Sequence, residues 1–118
     1  MTRVKLGEIE IGNDCPMVLL GGVNVLEDEA FALRCAEHYR QVCSRLGLPL
    51  VFKASYDKAN RSSIHSYRGP GLREGLRVLQ AVKEQCGVPV ITDVHSPEEA
   101  AAAAEEEGIQ QPTAAHGR

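Results

Sequence analysis

The 118-residue sequence has no tryptophan, and its few tyrosines and phenylalanines bring the aromatic share to only 4%. Proteins that hold single-stranded nucleic acids stack the bases on aromatic side chains, so this composition argues against that function and against the stacking of sugar rings. The formal net charge of -3 is also opposite to the basic balance of general nucleic-acid binders. A nucleic-acid partner is therefore not expected.

Long hydrophobic runs and paired cysteines are missing as well. No apolar run approaches the ~18 residues of a membrane-spanning helix, and the first segment, MTRVKLGEIE, lacks the apolar centre of a signal peptide. Cys15, Cys35, Cys43 and Cys86 form no C-x-x-C pair and have no histidine at zinc-site spacing. We expect a cytoplasmic protein without a membrane partner, whose cysteines are small reduced core residues.

Predicted strands and helices alternate along most of the chain. The predicted elements are a hairpin at 4–13, strands at 17–20, 50–54 and 90–92, and helices that begin near residue 27, at residue 70 and at residue 97. The segments LGLPLVFKAS and CGVPVITDVH share the order glycine, proline, apolar strand and polar exit at a spacing of 40 residues, which indicates a repeated unit of strand and helix.

The boundaries of these elements carry local signals. Gly21 and Gly22 follow the first apolar strand, where we expect them to let the backbone turn sharply or approach a ligand. Ser96 is the predicted N-cap of the third helix, Pro97 its first residue, and Glu99 the closing member of a capping box.

The two longer predicted helices each carry an apolar stripe at helical spacing. The first stripe comprises Ala32, Cys35, Ala36, Tyr39, Val42, Cys43 and Leu46. The second comprises Leu72, Gly75, Leu76, Leu79, Val82 and Cys86. We expect both stripes to face a common core.

Strands that alternate with helices through short connections predict a parallel sheet with right-handed crossovers. Two architectures fit this pattern, a doubly wound open sheet and a (β/α)8 barrel. No G-x-G-x-x-G follows the first strand, and the hairpin before it could cap the bottom of a barrel. We therefore predict that residues 1–118 form one domain of the barrel type.

A long polar segment follows the second strand. Residues 51–68, VFKASYDKANRSSIHSYR, begin as an apolar run and continue without a helix or strand period for longer than most connections. Because Lys53 and Ser55 continue the alternation of the strand, they should point where the strand's own side chains point. Lysines, an arginine and hydroxyls are the groups that bind phosphate and carboxylate, so we expect the ligand to be a small anion.

The segment KASYDKANRSSIHSYRGPG, together with GGVNVLE and ITDVH, resembles the 3-deoxy-D-manno-octulosonate 8-phosphate synthases, also called 2-dehydro-3-deoxyphosphooctonate aldolases. The resemblance implies a TIM-barrel transferase of lipopolysaccharide sugar biosynthesis. The reaction that it implies condenses phosphoenolpyruvate with D-arabinose 5-phosphate and water, releases phosphate, and takes place on a homotetramer. The related deoxy-heptulosonate phosphate synthases carry a Lys-Pro-Arg type segment where this chain has Ala59 and Asn60, so that branch is the weaker alternative.

The resemblance also implies roles for individual residues. Lys53 and Lys58 correspond to residues that hold the carboxylate and phosphate of phosphoenolpyruvate, with Ser55 beside them in the substrate site. Asn60, Arg61 and Ser62 correspond to residues that bind the sugar phosphate, in the family partly from a neighbouring subunit.

Three further positions complete the expected site. Asn24 occupies the position that is cysteine in the metal-dependent branch and asparagine in the metal-independent one, so the resemblance implies that no metal or other cofactor is needed. Asp93 and His95, at the exit of the third strand, are candidates for orienting water or the sugar aldehyde by proton transfer. Gln110 corresponds to a family glutamine near phosphoenolpyruvate.

The chain also departs from the family. A complete barrel takes about 250 residues, so this sequence covers the hairpin and about the first three strand–helix units of a truncated barrel. Residues 109–118 form an atypical tail. We expect the isolated chain to be marginally stable and inactive, and the alternative function is a non-catalytic fragment that binds phosphate or docks on a full-length synthase.

Overall fold

A hairpin, a parallel sheet and three helices make up the part of the chain that the computed structural model describes, residues 2–57, 69–105 and 109–110. The hairpin pairs β1 (Val4–Leu6) with β2 (Ile9–Ile11) in antiparallel register. Gly7 has a φ of 60° at its turn, a conformation that glycine adopts without steric cost. The predicted hairpin is therefore present.

The second sheet has four parallel strands. They are β3 (Leu19–Gly22), β4 (Leu50–Lys53), β5 (Val90–Ile91) and β6 (Ile109–Gln110), and they lie side by side in this order. Each described strand therefore neighbours the strand that follows it in the chain, and the order shows no reversal of the kind that defines a doubly wound sheet. The chain is an α/β protein with a small parallel sheet.

Local capping signals set the starts of two of the three helices. Helix α1 (Glu29–Leu46) begins after Asp28, whose carboxylate accepts a hydrogen bond from the Phe31 amide at 2.8 Å. Helix α2 (Leu72–Cys86) follows Gly71, and helix α3 (Pro97–Glu105) follows Ser96. Among the described residues, no helix is both long and apolar enough to cross a membrane.

The two faces of the parallel sheet carry different cores. Phe52 and Val90 belong to the larger core, which the sheet forms with α1, α2 and part of α3. Val51 and Ile91 point to the opposite face, where they pack with Leu6 of the hairpin. Because neighbouring residues of a strand face opposite sides, this alternation decides which later residues of β4 and β5 lie on the hairpin face.

Several sequence expectations are corrected by the structure. The first parallel strand is shifted and includes Gly21 and Gly22, which lie close to Tyr39 and to the Lys53 backbone. Leu46 is 65% exposed although it belongs to the predicted apolar stripe, because it lies in the last turn of α1. Val78 is buried in α2 without having been assigned to its stripe. A fourth strand, β6, adds to the three that were predicted.

Replacement of Gly75 by alanine is expected to destabilise the protein by about 1 to 2 kcal/mol. A methyl group there would overlap the Cβ of Tyr56, and overpacking costs about 1 to 3 kcal/mol. The better helix propensity of alanine returns only about 1 kcal/mol, so the steric term wins. Urea denaturation measures the difference, and Gln80→Ala, at a partly exposed position of the same helix, is the control. A more stable Gly75→Ala protein would contradict the close packing.

Candidate functional site

The polar residues that follow β4 and β5 meet on the hairpin face of the sheet. Ser55 is fully buried and its Oγ donates a hydrogen bond to Oδ1 of Asp93 at 2.6 Å. Lys53 precedes Ser55 by two residues and therefore lies on the same side of the strand. Its side chain is partly exposed and forms no ion pair with any described residue. The cationic Lys53 and the hydrogen-bonded Asp93 carboxylate thus both lie at the carboxyl ends of the parallel strands.

Asn24 lies at the exit of β3 and forms no hydrogen bond with Ser55 or Asp93. The β3 exit follows the edge of β4, with the Val23 amide bonded to the Lys53 carbonyl at 3.1 Å and the Leu26 amide bonded to the Ser55 carbonyl at 2.9 Å. The Asn24 side chain is exposed and has no hydrogen bond to a described residue. The backbone brings Asn24 to the carboxyl ends of the strands, but no hydrogen bond joins its side chain to Asp93.

Tyr56 and Glu99 form a partly buried contact that the sequence did not predict. The Tyr56 hydroxyl donates to Oε1 of Glu99 at 2.5 Å, and the same oxygen accepts the His95 amide at 3.2 Å. Glu99 was predicted to close a capping box onto Ser96, yet its carboxylate bonds one residue earlier. The only sequence signal for Glu99 as the acceptor of Tyr56 is its position one turn into α3, the helix that begins beside the polar exit of β5.

The ring of His95 is held by two consecutive residues after β4. Its Nε2 lies 2.8 Å from the carbonyl oxygen of Asp57, and its ring forms a T-shaped contact with the ring of Tyr56, with 5.9 Å between ring centroids. Because a carbonyl oxygen can only accept, Nε2 carries a proton in this arrangement. His95 itself is exposed, so the ring is oriented and still accessible.

The Tyr56 phenol sits in an environment that disfavours its ionisation. Burial is the largest cause, since the side chain is 1% exposed, and the hydrogen bond to Glu99 is the next. The negative charges of Glu99, Asp93 and Asp57 add to these effects, and together they raise the pKa of Tyr56 far above the ordinary value of about 10 for tyrosine. Tyr56 therefore acts as a hydrogen-bond donor and not as a phenolate.

The remaining predicted site residues either lie outside the described part of the chain or are described only by their backbone. Lys58, Asn60, Arg61 and Ser62 belong to the undescribed segment 58–68. Gln110 is described only by its backbone, which pairs with Ile91 in the parallel sheet. The roles expected for these five residues stay predictions.

A cavity lies at the end of the strands opposite Ser55 and Asp93, and none of the predicted site residues lines it. It measures about 880 Å³ and is bounded by the hairpin turn and by the ends of α1 and α2. Cys43, Leu48 and Pro49 give it a largely apolar wall. In parallel α/β folds, binding residues collect at the carboxyl ends of the strands, so we assign the candidate site to the edge that carries Ser55 and Asp93.

Comparison with known proteins identifies relatives over most of the chain. A 2-dehydro-3-deoxyphosphooctonate aldolase of Parasynechococcus marenigrum is 72% identical over 109 residues, which are 92% of this chain and 38% of the relative. Proteins of the same name are 60% identical in Chromobacterium violaceum, over 94% of this chain and 40% of the relative, and in Pseudomonas fluorescens, over 86% and 36%.

The chain thus spans about two fifths of the length of the relatives that it matches. The family model described as the DAHP synthetase I family matches residues 1–114, which include both strand exits that form the candidate site. The resemblance inferred from the polar segment after β4 is confirmed, and the chain belongs to the DAHP synthetase I family.

Proposed function

We propose that this chain carries the amino-terminal part of the substrate site of a 2-dehydro-3-deoxyphosphooctonate aldolase. The reaction would join phosphoenolpyruvate to D-arabinose 5-phosphate, with water, and give 3-deoxy-D-manno-octulosonate 8-phosphate and phosphate. The names of the relatives support this reaction over the heptulosonate alternative. The hydrogen bond between Ser55 and Asp93, next to Lys53, is the structural observation that carries the proposal.

The fold that goes with this function is the first part of a (β/α)8 barrel. Two features of the described sheet support it: the strands lie in chain order, and they are all parallel. The hairpin packs on the face opposite the main helical core, as a cap on the bottom of a barrel would. In such a barrel the side chains that follow the carboxyl ends of the strands line the active site.

Electrostatics explains why the site needs cations. Phosphoenolpyruvate and arabinose 5-phosphate are both multiply charged anions, so they can share a pocket only if positive groups offset their repulsion. Each charge-assisted hydrogen bond contributes about 1.5 to 3 kcal/mol. We assign Lys53 and Lys58 to phosphoenolpyruvate, and Asn60, Arg61 and Ser62 to the sugar phosphate.

The chemistry needs a proton donor and an oriented water. The methylene carbon of phosphoenolpyruvate attacks the aldehyde carbon of the sugar, and the aldehyde oxygen takes up a proton. The former enol carbon becomes cationic, water adds to it with loss of a proton, and phosphate then leaves. Asp93 and His95 are the described residues that we assign to these proton transfers. The Ser55 hydroxyl fixes the Asp93 carboxylate that would orient the water.

No metal is part of the proposed mechanism. At position 24, Asn24 offers a neutral amide and no thiolate for a divalent ion. We also propose the cytoplasmic location and the homotetramer that the family resemblance implies, with part of the sugar-phosphate site supplied by a neighbouring subunit.

Calorimetric titration tests the substrate assignment. Arg61→Ala should weaken the binding of arabinose 5-phosphate, and Lys53→Met that of phosphoenolpyruvate, each by about tenfold or more, because each loses a charge-assisted hydrogen bond of about 1.5 to 3 kcal/mol. Lys83→Met is the control, since Lys83 lines the cavity at the other end of the strands. Addition of a chelator should change none of these affinities.

Two outcomes of the titration would contradict the proposal. If Arg61→Ala binds arabinose 5-phosphate as tightly as the unmodified chain, the sugar-phosphate assignment is wrong. If erythrose 4-phosphate binds more tightly than the five-carbon sugar, the heptulosonate alternative replaces the proposed reaction.

A further inference from the structure

One carboxylate oxygen connects the loop after β4 to the loop after β5. Oε1 of Glu99 accepts the hydroxyl of Tyr56 at 2.5 Å and the backbone amide of His95 at 3.2 Å. Tyr56 lies three residues beyond the end of β4, and its Cβ packs closely against α2 at Gly75. The buried phenol therefore ties the His95 backbone to a fixed point of the main core.

The side chain of His95 is fixed separately from its backbone. The Asp57 carbonyl oxygen accepts from Nε2 at 2.8 Å, and the Tyr56 ring makes a T-shaped contact with the imidazole. Since Asp57 can offer only an acceptor through its carbonyl, the neutral ring must hold its proton on Nε2. Nδ1 is then the ring nitrogen with the lone pair, and no described residue is hydrogen-bonded to it.

We propose that Tyr56 and Glu99 are positioning residues that hold His95 against the Asp57 carbonyl, which fixes the Nε2–H tautomer, so that Nδ1 is the atom that exchanges protons with substrate. The part concerning substrate rests on the proposed function, whereas the tautomer does not. An exposed histidine would otherwise sample several rotamers and both tautomers. Fixing its backbone, ring face and Nε2 in advance removes that freedom before substrate arrives.

Proton transfer from the His95 ring to the substrate needs no further reagent. A ring protonated on both nitrogens gives its Nδ1 proton to the aldehyde oxygen as the new carbon–carbon bond forms. The ring that remains is the neutral Nε2–H tautomer, which the Asp57 carbonyl already stabilises. Three residues contact the ring or the backbone of His95: Tyr56 through its ring, Asp57 through its backbone carbonyl, and Glu99 of α3 through its carboxylate.

Nitrogen-15 NMR of the histidine rings tests the proposal on the full 118-residue chain. Spectra recorded at about pH 8.5, above the ordinary imidazole pKa, show which nitrogen of a neutral ring carries the proton. His95→Gln identifies the His95 signals among the four histidines. We expect the unmodified chain to show the Nε2–H form of His95 alone.

Four variants separate positioning from simple folding. Tyr56→Phe and Glu99→Ala should each release His95 from the Asp57 carbonyl and raise the fraction of the Nδ1–H tautomer by up to about tenfold, the effect of losing the hydrogen bond between Nε2 and that carbonyl. Glu99→Gln keeps an acceptor oxygen in place and should restore the native ratio. Glu98→Ala, at the exposed neighbouring position of the same helix turn, is the matched control and should change nothing.

The results that overturn the proposal are specific. A mixture of tautomers in the unmodified chain, or a Glu99→Gln protein that behaves like Glu99→Ala, refutes positioning by the Glu99 oxygen. If the tautomer is fixed but added phosphoenolpyruvate and arabinose 5-phosphate leave the Nδ1 signal unchanged, Tyr56 and Glu99 still position His95. In that case its role in the proposed reaction is rejected.

Discussion

Gly22→Ala is expected to destabilise the protein by about 3 kcal/mol or more, at the upper end of the cost of overpacking. An added Cβ would overlap the Lys53 carbonyl oxygen and lie only 2.8 Å from the carbonyl carbon. These atoms belong to the backbone of the neighbouring strand, so no rotamer change relieves the overlap. Strands β3 and β4 must separate, which also displaces Lys53. Urea denaturation followed by circular dichroism measures the loss.

Gly47→Asn is the control for Gly22→Ala. Gly47 ends α1 with a φ of 72°, and an added Cβ would meet nothing within 4 Å. Asparagine accepts the left-handed conformation better than other residues with a side chain, so we expect only a small change in stability. If Gly22→Ala costs no more than this control, the close parallel pairing of Gly22 with Lys53 is wrong.

The protein should lose stability steeply above about pH 10, the ordinary pKa of tyrosine. The pKa of Tyr56 is raised in the folded state by burial and by its bond to Glu99. A raised pKa favours the neutral phenol, so its contribution is complete below the unfolded pKa and is lost as the pH rises toward the folded one. The linkage slope for one such group is about 1.4 kcal/mol per pH unit.

Tyr56→Phe separates this effect from other alkaline changes. The variant should be less stable at neutral pH by about 1.5 to 3 kcal/mol, because a hydrogen bond to a charged group is lost. Between about pH 10 and pH 12 it should lose less stability than the unmodified chain, since it has no phenol at this site to ionise. Denaturation curves at several pH values measure both slopes, and parallel slopes would show that Tyr56 is not the responsible group.

Most of the fold could be predicted from the sequence because its signals are local. The helix that starts after Asp28 and the one that starts at Pro97 are specified by caps within a few residues of their ends. The alternation of residues 4–13 likewise specifies the hairpin. The ends of the strands are not specified locally. The sequence places Gly21 and Gly22 after the first parallel strand, because glycine resembles a turn signal when its neighbour across the sheet is unknown, whereas the structure includes both in β3.

The candidate site could be predicted only in part. Lys53, Ser55 and Asp93 were recognised from their positions at strand exits, and the structure joins the latter two. Tyr56 and Glu99 were missed as a pair, because an isolated tyrosine or glutamate carries no signal for a partner 43 residues away. The place of Asn24 in the site is predicted from family resemblance. Its backbone position alone does not bring its amide into a hydrogen bond with Asp93.

The sequence by itself determined the order of strands and helices, the two faces of β4, and the family, because these depend on spacing and composition within short segments. Only the tertiary structure decided that one Glu99 oxygen holds both Tyr56 and the His95 backbone, and that Gly22 must be glycine. The physical reason is the parallel sheet: its register brings residues from distant segments within hydrogen-bond distance, and no local pattern encodes that register.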